Sequence, residues 1–305
     1  MAEALGGVER VVVLGANGWF GRTAVDLLES VWGIEVIRRI RPFARGAHKV
    51  RLRSGELMDV APIVELGALE PGAHTLLVDC AYPTQEKVAE LGVENYQRSV
   101  ERLRQVVNGG LERLRPVACA SLSSGAAVVG DEAADRTRIY GALKRTDEEQ
   151  LAELCPSLGV RLCVARVYAA SGPYMTKPET YALGDLISQA RSGGPMRVRA
   201  EHRVIRSYAL VADILEIAVR TALRADPSRP VIFETGGEEV EIGELAQRVA
   251  LSVTGGELPV ERPPVGDSAA DRYVGDASRM MELADELGIE PLDLGAQIRE
   301  TDRGV

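Results

Sequence analysis

The chain has 305 residues, 46% of them apolar, and a formal net charge of −9. That is enough apolar material for one large folded unit or two modest ones, and it excludes an intrinsically disordered chain. The acidic balance, with no basic tract, excludes a general nucleic-acid surface. No apolar run approaches the roughly 20 residues a membrane helix needs, and residues 1–7 show no charged-then-apolar leader, so a cytoplasmic protein is expected. Cys80, Cys119, Cys155 and Cys163 form no CxxC pair and the histidines lie far apart. Reduced structural thiols and no metal centre are therefore expected.

Residues 10–14 are a β-branched run, the pattern of a buried strand. A glycine-rich turn follows, and residues 23–31 then put Ala24, Leu27, Leu28 and Val31 on one helical face. Residues 35–40 read as a second strand, 50–52 as a third and 75–79 as a fourth. Residues 86–114 predict a long charged amphipathic helical region, broken at Gly109-Gly110. A fifth strand is expected over 116–122, a helix carrying Tyr140 to about residue 154, and a sixth strand over 160–167. Strands alternating with helices predict an α/β fold, a Rossmann-type doubly wound parallel sheet. After Tyr168 the pattern loosens, punctuated by Gly172-Pro173 and Gly193-Gly194-Pro195. The expected division is a dinucleotide-binding domain over 1–168, completed by parts of 203–235, and a smaller C-terminal substrate-binding lobe over 169–305.

The turn Gly15-Ala16-Asn17-Gly18-Trp19-Phe20-Gly21 has G-x-x-G-x-x-G spacing between a strand and a helix. Glycines permit a tight turn and a close backbone approach to a pyrophosphate, which the positive helix N-terminus favours. Gly15, Asn17, Gly18, Trp19, Phe20 and Gly21 are accordingly assigned to a nicotinamide dinucleotide. An acid near the second strand's end would hold a ribose 2′-hydroxyl, whereas arginine suits a 2′-phosphate. The chain offers Arg38-Arg39-Ile40-Arg41-Pro42 and no acid there. NADP is thus favoured over NAD, with Arg41 the first candidate for the phosphate and Arg39 the second.

Tyr140 and Lys144 stand four apart within a helical pattern, so both project from one face. A cation beside a phenol stabilises the phenolate and makes the hydroxyl a better proton-transfer group near neutral pH. Ser121-Leu122-Ser123-Ser124-Gly125 closes the fifth predicted strand and supplies hydroxyls upstream of the pair.

The glycine turn, the serine-rich strand end and Tyr140-x-x-x-Lys144, in that order, resemble the extended short-chain dehydrogenase/reductase superfamily. The closer likeness is to its NAD(P)-dependent epimerase/dehydratase family, which acts on nucleotide sugars. Glu56-Leu57-Met58-Asp59 is similar to the family's adenine-side D-x-x-D, and Val78-Asp79-Cys80-Ala81 to the segment running under the cofactor. Val129-Gly130-Asp131 resembles V-Y-G-D, and Arg166-Val167-Tyr168 with Gly172-Pro173 resembles the sixth-strand R-x-F-N-x-x-G-P. Arg206-Ser207-Tyr208 with Asp213 is similar to the R-D-Y/F segment, and Tyr273-Val274-Gly275-Asp276-Ala277-Ser278 to the segment before the C-terminal helix.

The resemblance implies that Tyr140 is the acid/base and that Lys144 holds the nicotinamide ribose. It implies cofactor contacts at Glu56, Leu57 and Ala81, and a serine bonded to the reacting oxygen. Counting back from Val129 to the family's serine position reaches Gly125, so Ser124 is preferred and Ser123 is the alternative, each also a candidate substrate contact. Arg206 would pair with a substrate diphosphate. The 4,6-dehydratases carry Asp-Glu after the serine where this chain has Gly125-Ala126, which favours an epimerase or 4-ketoreductase. The implied ligand is nucleotide-sugar-like and the implied assembly a homodimer. The alternatives are an oxidoreductase of a non-nucleotide carbonyl or hydroxyl substrate, and a non-catalytic dinucleotide-binding regulator.

Overall fold

The computed structural model describes residues 1–129, 134–266 and 268–304, in two compact units. The first comprises Met1–Arg166 and Leu215–Phe233, the second Val167–Ile214 and Glu234–Val305. Gly130 and Asp131 of the V-Y-G-D-like segment lie outside the described residues.

The first unit begins with strand β1 (Arg10–Leu14), buried at four of its positions, and helix α1 (Trp19–Trp32). A short helix α2 (Val36–Arg39) then leads into β2 (Ile40–Ala44). The second strand is therefore not residues 35–40 but Ile40–Ala44, which shares only Ile40 with that span. Glu35, Val36 and Ile37 have the composition of a strand, yet the single turn spends them bridging the end of α1 to the sheet. The hairpin β3 (His48–Arg51) and β4 (Leu57–Pro62) turns at Gly55, whose φ of +90° favours glycine. The sequence reading had missed β4 as a strand.

Next come β5 (Thr75–Asp79), α3 (Glu86–Leu91), α4 (Val93–Leu114), β6 (Ala118–Ser124), α5 (Asp135–Ser157) and β7 (Arg161–Val167). The long helical region breaks at Gly92, at φ +74°, and runs without interruption through Gly109-Gly110. Gly110 is a packing position instead, since a Cβ there would lie 2.5 Å from Leu66 Cδ2.

Past a short strand β8 (Ala169–Ser171), the second unit contains α6 (Ala182–Arg191), β9 (Met196–Arg197) and β10 (Val204–Leu210). Helix α7 (Val211–Arg224) and β11 (Val231–Glu234) carry the chain back to the first unit. The remainder is β12 (Glu239–Glu241), α8 (Ile242–Thr254), β13 (Val260–Glu261), β14 (Asp271–Tyr273), α9 (Ser278–Leu287) and α10 (Leu294–Asp302).

The large sheet has eight strands in the order β11-β7-β6-β5-β1-β2-β4-β3. Its pairs β4/β2, β2/β1, β1/β5 and β5/β6 are parallel, and β3 is an antiparallel edge on β4. This is a Rossmann-type doubly wound α/β sheet. The order reverses between β1 and β5, and in such sheets ligands bind outside the strands' carboxyl ends at that point. One core face joins Val12, Leu14 and Leu77 of the sheet to Val107 and Leu111 of α4 and Leu151 and Cys155 of α5. All four cysteines are free thiols, three of them buried.

In the second unit β10 is flanked by β12 and β14 and also pairs with β8. Its core gathers apolar side chains of α6, α8 and α10, among them Ile187, Val249 and Ile298. Among the described residues, no helix is long and apolar enough to cross a membrane.

Candidate active site

The glycine turn is built by contacts that exclude side chains. Gly15 has φ +78°, and a Cβ on it would lie 2.7 Å from Cys80 O and 2.9 Å from Ala81 Cα. A Cβ on Gly21 would lie 2.1 Å from Gly15 O, so α1 reaches this close to β1 only with glycine there. Gly18 differs, because its Cβ would meet nothing nearer than Gly15 O at 3.4 Å, an ordinary van der Waals contact. Asn17 is exposed at the crest, while the Trp19 and Phe20 rings pack on each other with centroids 5.4 Å apart. No side chain caps α1 at Gly18, and its first turn carries no acid. A bare, positively polarised helix start behind a glycine cradle fits a pyrophosphate.

Ala16 N–H donates to Phe43 O at 2.9 Å, which brings the end of β2 beside the turn. The residue just past that end is Arg45, which is exposed. Arg39 and Arg41, predicted for this place, sit at the opposite end of the strand. Arg39 lies over the Trp32 ring at 5.0 Å, and the Arg41 guanidinium donates to Arg38 O and Ile40 O. The cause is the displaced start of β2. Glu56 and Leu57 are displaced in the same way. They lie at the amino end of β4 just past the Gly55 turn, whereas its carboxyl end, on the same side of the sheet as the glycine turn, is Ala61-Pro62.

Ala81 follows β5 against Gly15, and the next residue connects the turn to the predicted acid/base pair. Lys144 Nζ lies 3.5 Å from the centroid of the Tyr82 ring and donates to Leu122 O at 2.9 Å. The Tyr140 ring meets the Tyr82 ring edge-on, centroids 5.6 Å apart and planes at 89°. Gly141 lets α5 approach this closely, because a Cβ there would lie 2.1 Å from Ala126 O. One turn beyond Lys144, Glu148 receives a forked ion pair from Arg166 on β7, with contacts of 2.7 to 3.2 Å. That bidentate contact pins α5 to the sheet.

The serines at the end of β6 take different environments. Ser124 Oγ accepts from Ala126 N–H at 3.2 Å and caps the single helical turn that follows. Ser123 is buried, and its Oγ has no hydrogen-bond partner. It opens on a cavity of ≈ 40 Å³ that is also lined by Asp79, Tyr82, Arg104, Lys144 and Asp147. Arg206 belongs to the second unit, where its guanidinium bonds Asp271 Oδ2 at 2.8 Å and the Asp271 and Ile205 carbonyls. In the same unit Gly275 lies under Tyr168, which also packs on Tyr273 at 4.8 Å.

Among the described residues, Lys144 is the only buried lysine. Burial brings it down to about 8, against the opposing pull of Asp79, Asp147 and Glu148. Burial pushes Asp79 up to about 6, opposed by the Ala81 N–H bond and by Lys144. The sequence reading placed Asp79 in the segment under the cofactor but gave it no role, although a carboxylate ending the apolar run Leu76-Leu77-Val78 was an available signal. Tyr82 and Arg45 were missed, since neither departs from ordinary loop composition.

The two shifts give stability a defined pH dependence. Between the usual carboxylate value near ~3.9 and about 6, folded Asp79 keeps a proton that the unfolded chain has released, so stability falls as pH rises. Between about 8 and the usual lysine value near ~10.4, folded Lys144 has released a proton that the unfolded chain keeps, so stability rises with pH. Urea unfolding from pH 4 to 10 should show both slopes. Asp79→Asn should flatten the acidic limb, and an unchanged limb would contradict this account.

Comparison with known proteins gives a consistent picture. A sequence model described as the NAD dependent epimerase/dehydratase family matches residues 11–242. No curated protein matches the chain. Among solved structures, the chain is similar to a UDP-N-acetylglucosamine 4-epimerase from Methanobrevibacter ruminantium in complex with UDP-N-acetylmuramic acid. The identity is 16%, the TM-score 0.70, and 97% of each chain is covered. A UDP-glucose 4-epimerase from Brucella ovis in complex with NAD is 19% identical, TM-score 0.69, covering 97% of this chain and 98% of that one. The Bordetella bronchiseptica enzyme WbmF in complex with NAD+ is 16% identical, TM-score 0.71, covering 97% and 92%. At these identities the likeness is one of fold.

Proposed function

The chain belongs to the NAD dependent epimerase/dehydratase family, and from that premise we propose that it is an epimerase or 4-ketoreductase of a nucleotide-linked sugar, with NADP its preferred cofactor. The observation that carries the proposal is the short path from cradle to acid/base pair. Ala81 abuts Gly15, and the adjacent Tyr82 contacts both Tyr140 and Lys144. A dinucleotide held at the turn would thus have the pair within its length.

A bound nicotinamide would supply hydride exchange at a substrate carbon. Gly15 and Gly21 keep the turn tight against β5 and β1, the uncrowded Gly18 would admit the pyrophosphate to the backbone, and Tyr140 Oη would exchange the proton of the substrate oxygen. Lys144 keeps a positive charge beside that phenol at neutral pH and would hold the nicotinamide ribose. Ser124 would donate its O–H to the reacting oxygen, with Ser123 the alternative. The buried Gly125 and Ala126 add no acid or base after the serine, which disfavours 4,6-elimination. Arg45, at the end of β2, is proposed for the 2′-phosphate. The Arg206–Asp271 ion pair favours a second reading, a carbonyl substrate without a diphosphate.

The test is a panel of nucleotide sugars, keto-sugars and simple carbonyl compounds, incubated with NADPH or NADH and followed by mass spectrometry. Epimerised or reduced sugar nucleotides are expected. Turnover confined to simple carbonyls would establish the second reading. NADPH should bind more tightly than NADH, and Arg45→Ala should weaken NADPH at least ~10-fold while sparing NADH, the scale of a lost charge-assisted phosphate contact. Equal losses for both cofactors would reject Arg45 as the phosphate ligand.

A further inference from the structure

We propose that Tyr82 is a positioning residue for the acid/base pair, its ring holding the Lys144 ammonium on one face while bracing Tyr140 in an edge-to-face contact. The proposal rests on the reading of Tyr140 and Lys144 as that pair. Tyr82 follows Val78-Asp79-Cys80-Ala81, the segment that resembles the family's run beneath the cofactor, at a position to which neither motif nor composition assigns a role.

Several contacts support it. The separation of 3.5 Å between Lys144 Nζ and the ring centroid is well inside the ~6 Å reach of a cation–π interaction. Because Lys144 is buried, this contact is desolvated and belongs at the strong end of the cation–π range rather than at the weak end found on surfaces. The perpendicular Tyr82–Tyr140 pair has the geometry that matches a positive ring edge to a negative ring face. The loop that carries Tyr82 is itself fixed. Tyr96, fully buried on α4, donates its hydroxyl to Pro83 O at 2.8 Å. Val88, Tyr96 and Val100 then pack with Tyr82, Ile139, Tyr140 and Leu143 in one apolar cluster.

The ring, rather than the hydroxyl, makes these contacts. The hydroxyl is buried and points toward Asp147 without hydrogen-bond geometry. Proximity to that carboxylate and loss of solvent push the Tyr82 phenol far up, so it stays protonated throughout the working pH range. Tyr82 therefore serves as a neutral aromatic surface and not as a second acid. Asp79, Cys80, Asp147 and Glu148 are the other groups that act on the Lys144 charge, and Tyr82→Phe, which removes only the hydroxyl facing Asp147, separates that carboxylate's influence from the ring's.

The chain contains four lysines, Lys49, Lys87, Lys144 and Lys177, so full-length protein labelled with 13C at lysine Cε gives four resonances, and Lys144→Arg assigns the one of interest. Its titration is measured in the wild type, Tyr82→Phe and Tyr82→Leu, with Tyr82→Met in reserve should the Leu variant fail to fold. Turnover is measured alongside on whichever substrate the panel identifies. Tyr82→Phe, which keeps the ring, should leave the midpoint within ~0.3 units and kcat within about twofold. Tyr82→Leu should lower the midpoint by roughly one unit or more, since the ring stabilises the cation, and should reduce kcat about 10-fold or more. An unmoved Lys144 midpoint and kcat in Tyr82→Leu would overturn the proposal. Equal damage in Tyr82→Phe and Tyr82→Leu would overturn it too, by assigning the role to the hydroxyl. The titration needs no substrate. If Lys144 shifts as expected in a protein that turns over no member of the panel, the hold on Lys144 is upheld and the reading of the pair as catalytic fails.

Discussion

Replacing Tyr140 with phenylalanine should lower turnover by about 10²- to 10⁴-fold while leaving NADPH affinity within about twofold. The first figure is the usual contribution of a positioned acid/base to a proton-transfer step. The second follows because the substitution removes a single oxygen. The ring that packs edge-on to Tyr82 remains, α5 keeps its approach at Gly141, and the glycine cradle lies on other elements. Steady-state kinetics and calorimetric titration of NADPH measure the two quantities separately. A variant with wild-type turnover would exclude Tyr140 as the proton carrier. A variant that loses cofactor binding in proportion to turnover would move the role of Tyr140 from chemistry to binding.

The second large effect is expected at Gly141, where helix propensity and packing oppose each other. Alanine is favoured over glycine inside a helix by about 1 kcal/mol, which by itself predicts a more stable protein. The added Cβ, however, would stand 2.1 Å from the carbonyl oxygen of Ala126, and backbone cannot swing aside as the end of a side chain can. Overpacking of this kind costs about 1 to 3 kcal/mol or more, so the clash decides the sign. Gly141→Ala should be less stable than wild type in urea unfolding. It should also lose activity out of proportion to its stability, because relief of the clash requires α5 to move away from the turn after β6. Tyr140 is the residue just before Gly141 and would move with it. A displacement near 1 Å is enough to cost about 100-fold in an oriented reaction. A stabilised or fully active Gly141→Ala would show that α5 does not require this close approach.

Which features were legible in the sequence follows from their range. The G-x-x-G-x-x-G turn, the i/i+4 spacing of Tyr140 and Lys144 and most of the sheet strands depend on residues within a few positions of one another. Buried parallel strands are continuous apolar runs, and β1, β5 and β7 stand out as such. Element boundaries were less legible where local composition misled. Residues 35–40 have the makings of a strand, and the strand is Ile40–Ala44, because β1 pairs from Val11↔Ile40 through Leu14↔Phe43 and register is set by the partner strand. That shift moved Arg41 away from the strand end and put Arg45 there. Gly109-Gly110 resembled a helix break, yet α4 continues through it because Leu66 packs where a Cβ at Gly110 would be.

By itself, then, the sequence determined the Rossmann-type architecture and the glycine cradle, and it singled out Tyr140 and Lys144 as the candidate acid/base pair, since each is written in short-range spacing. Tertiary structure alone decided which arginine stands at the carboxyl end of β2, that Asp79 shares the interior with Lys144, and that Tyr82 lies between the cradle and the pair. Those residues lie on strand ends and loops brought together by the parallel sheet from positions tens of residues apart. Burial there sets both the charge of Lys144 and the value of an aromatic face beside it, and neither can be read from neighbours along the chain.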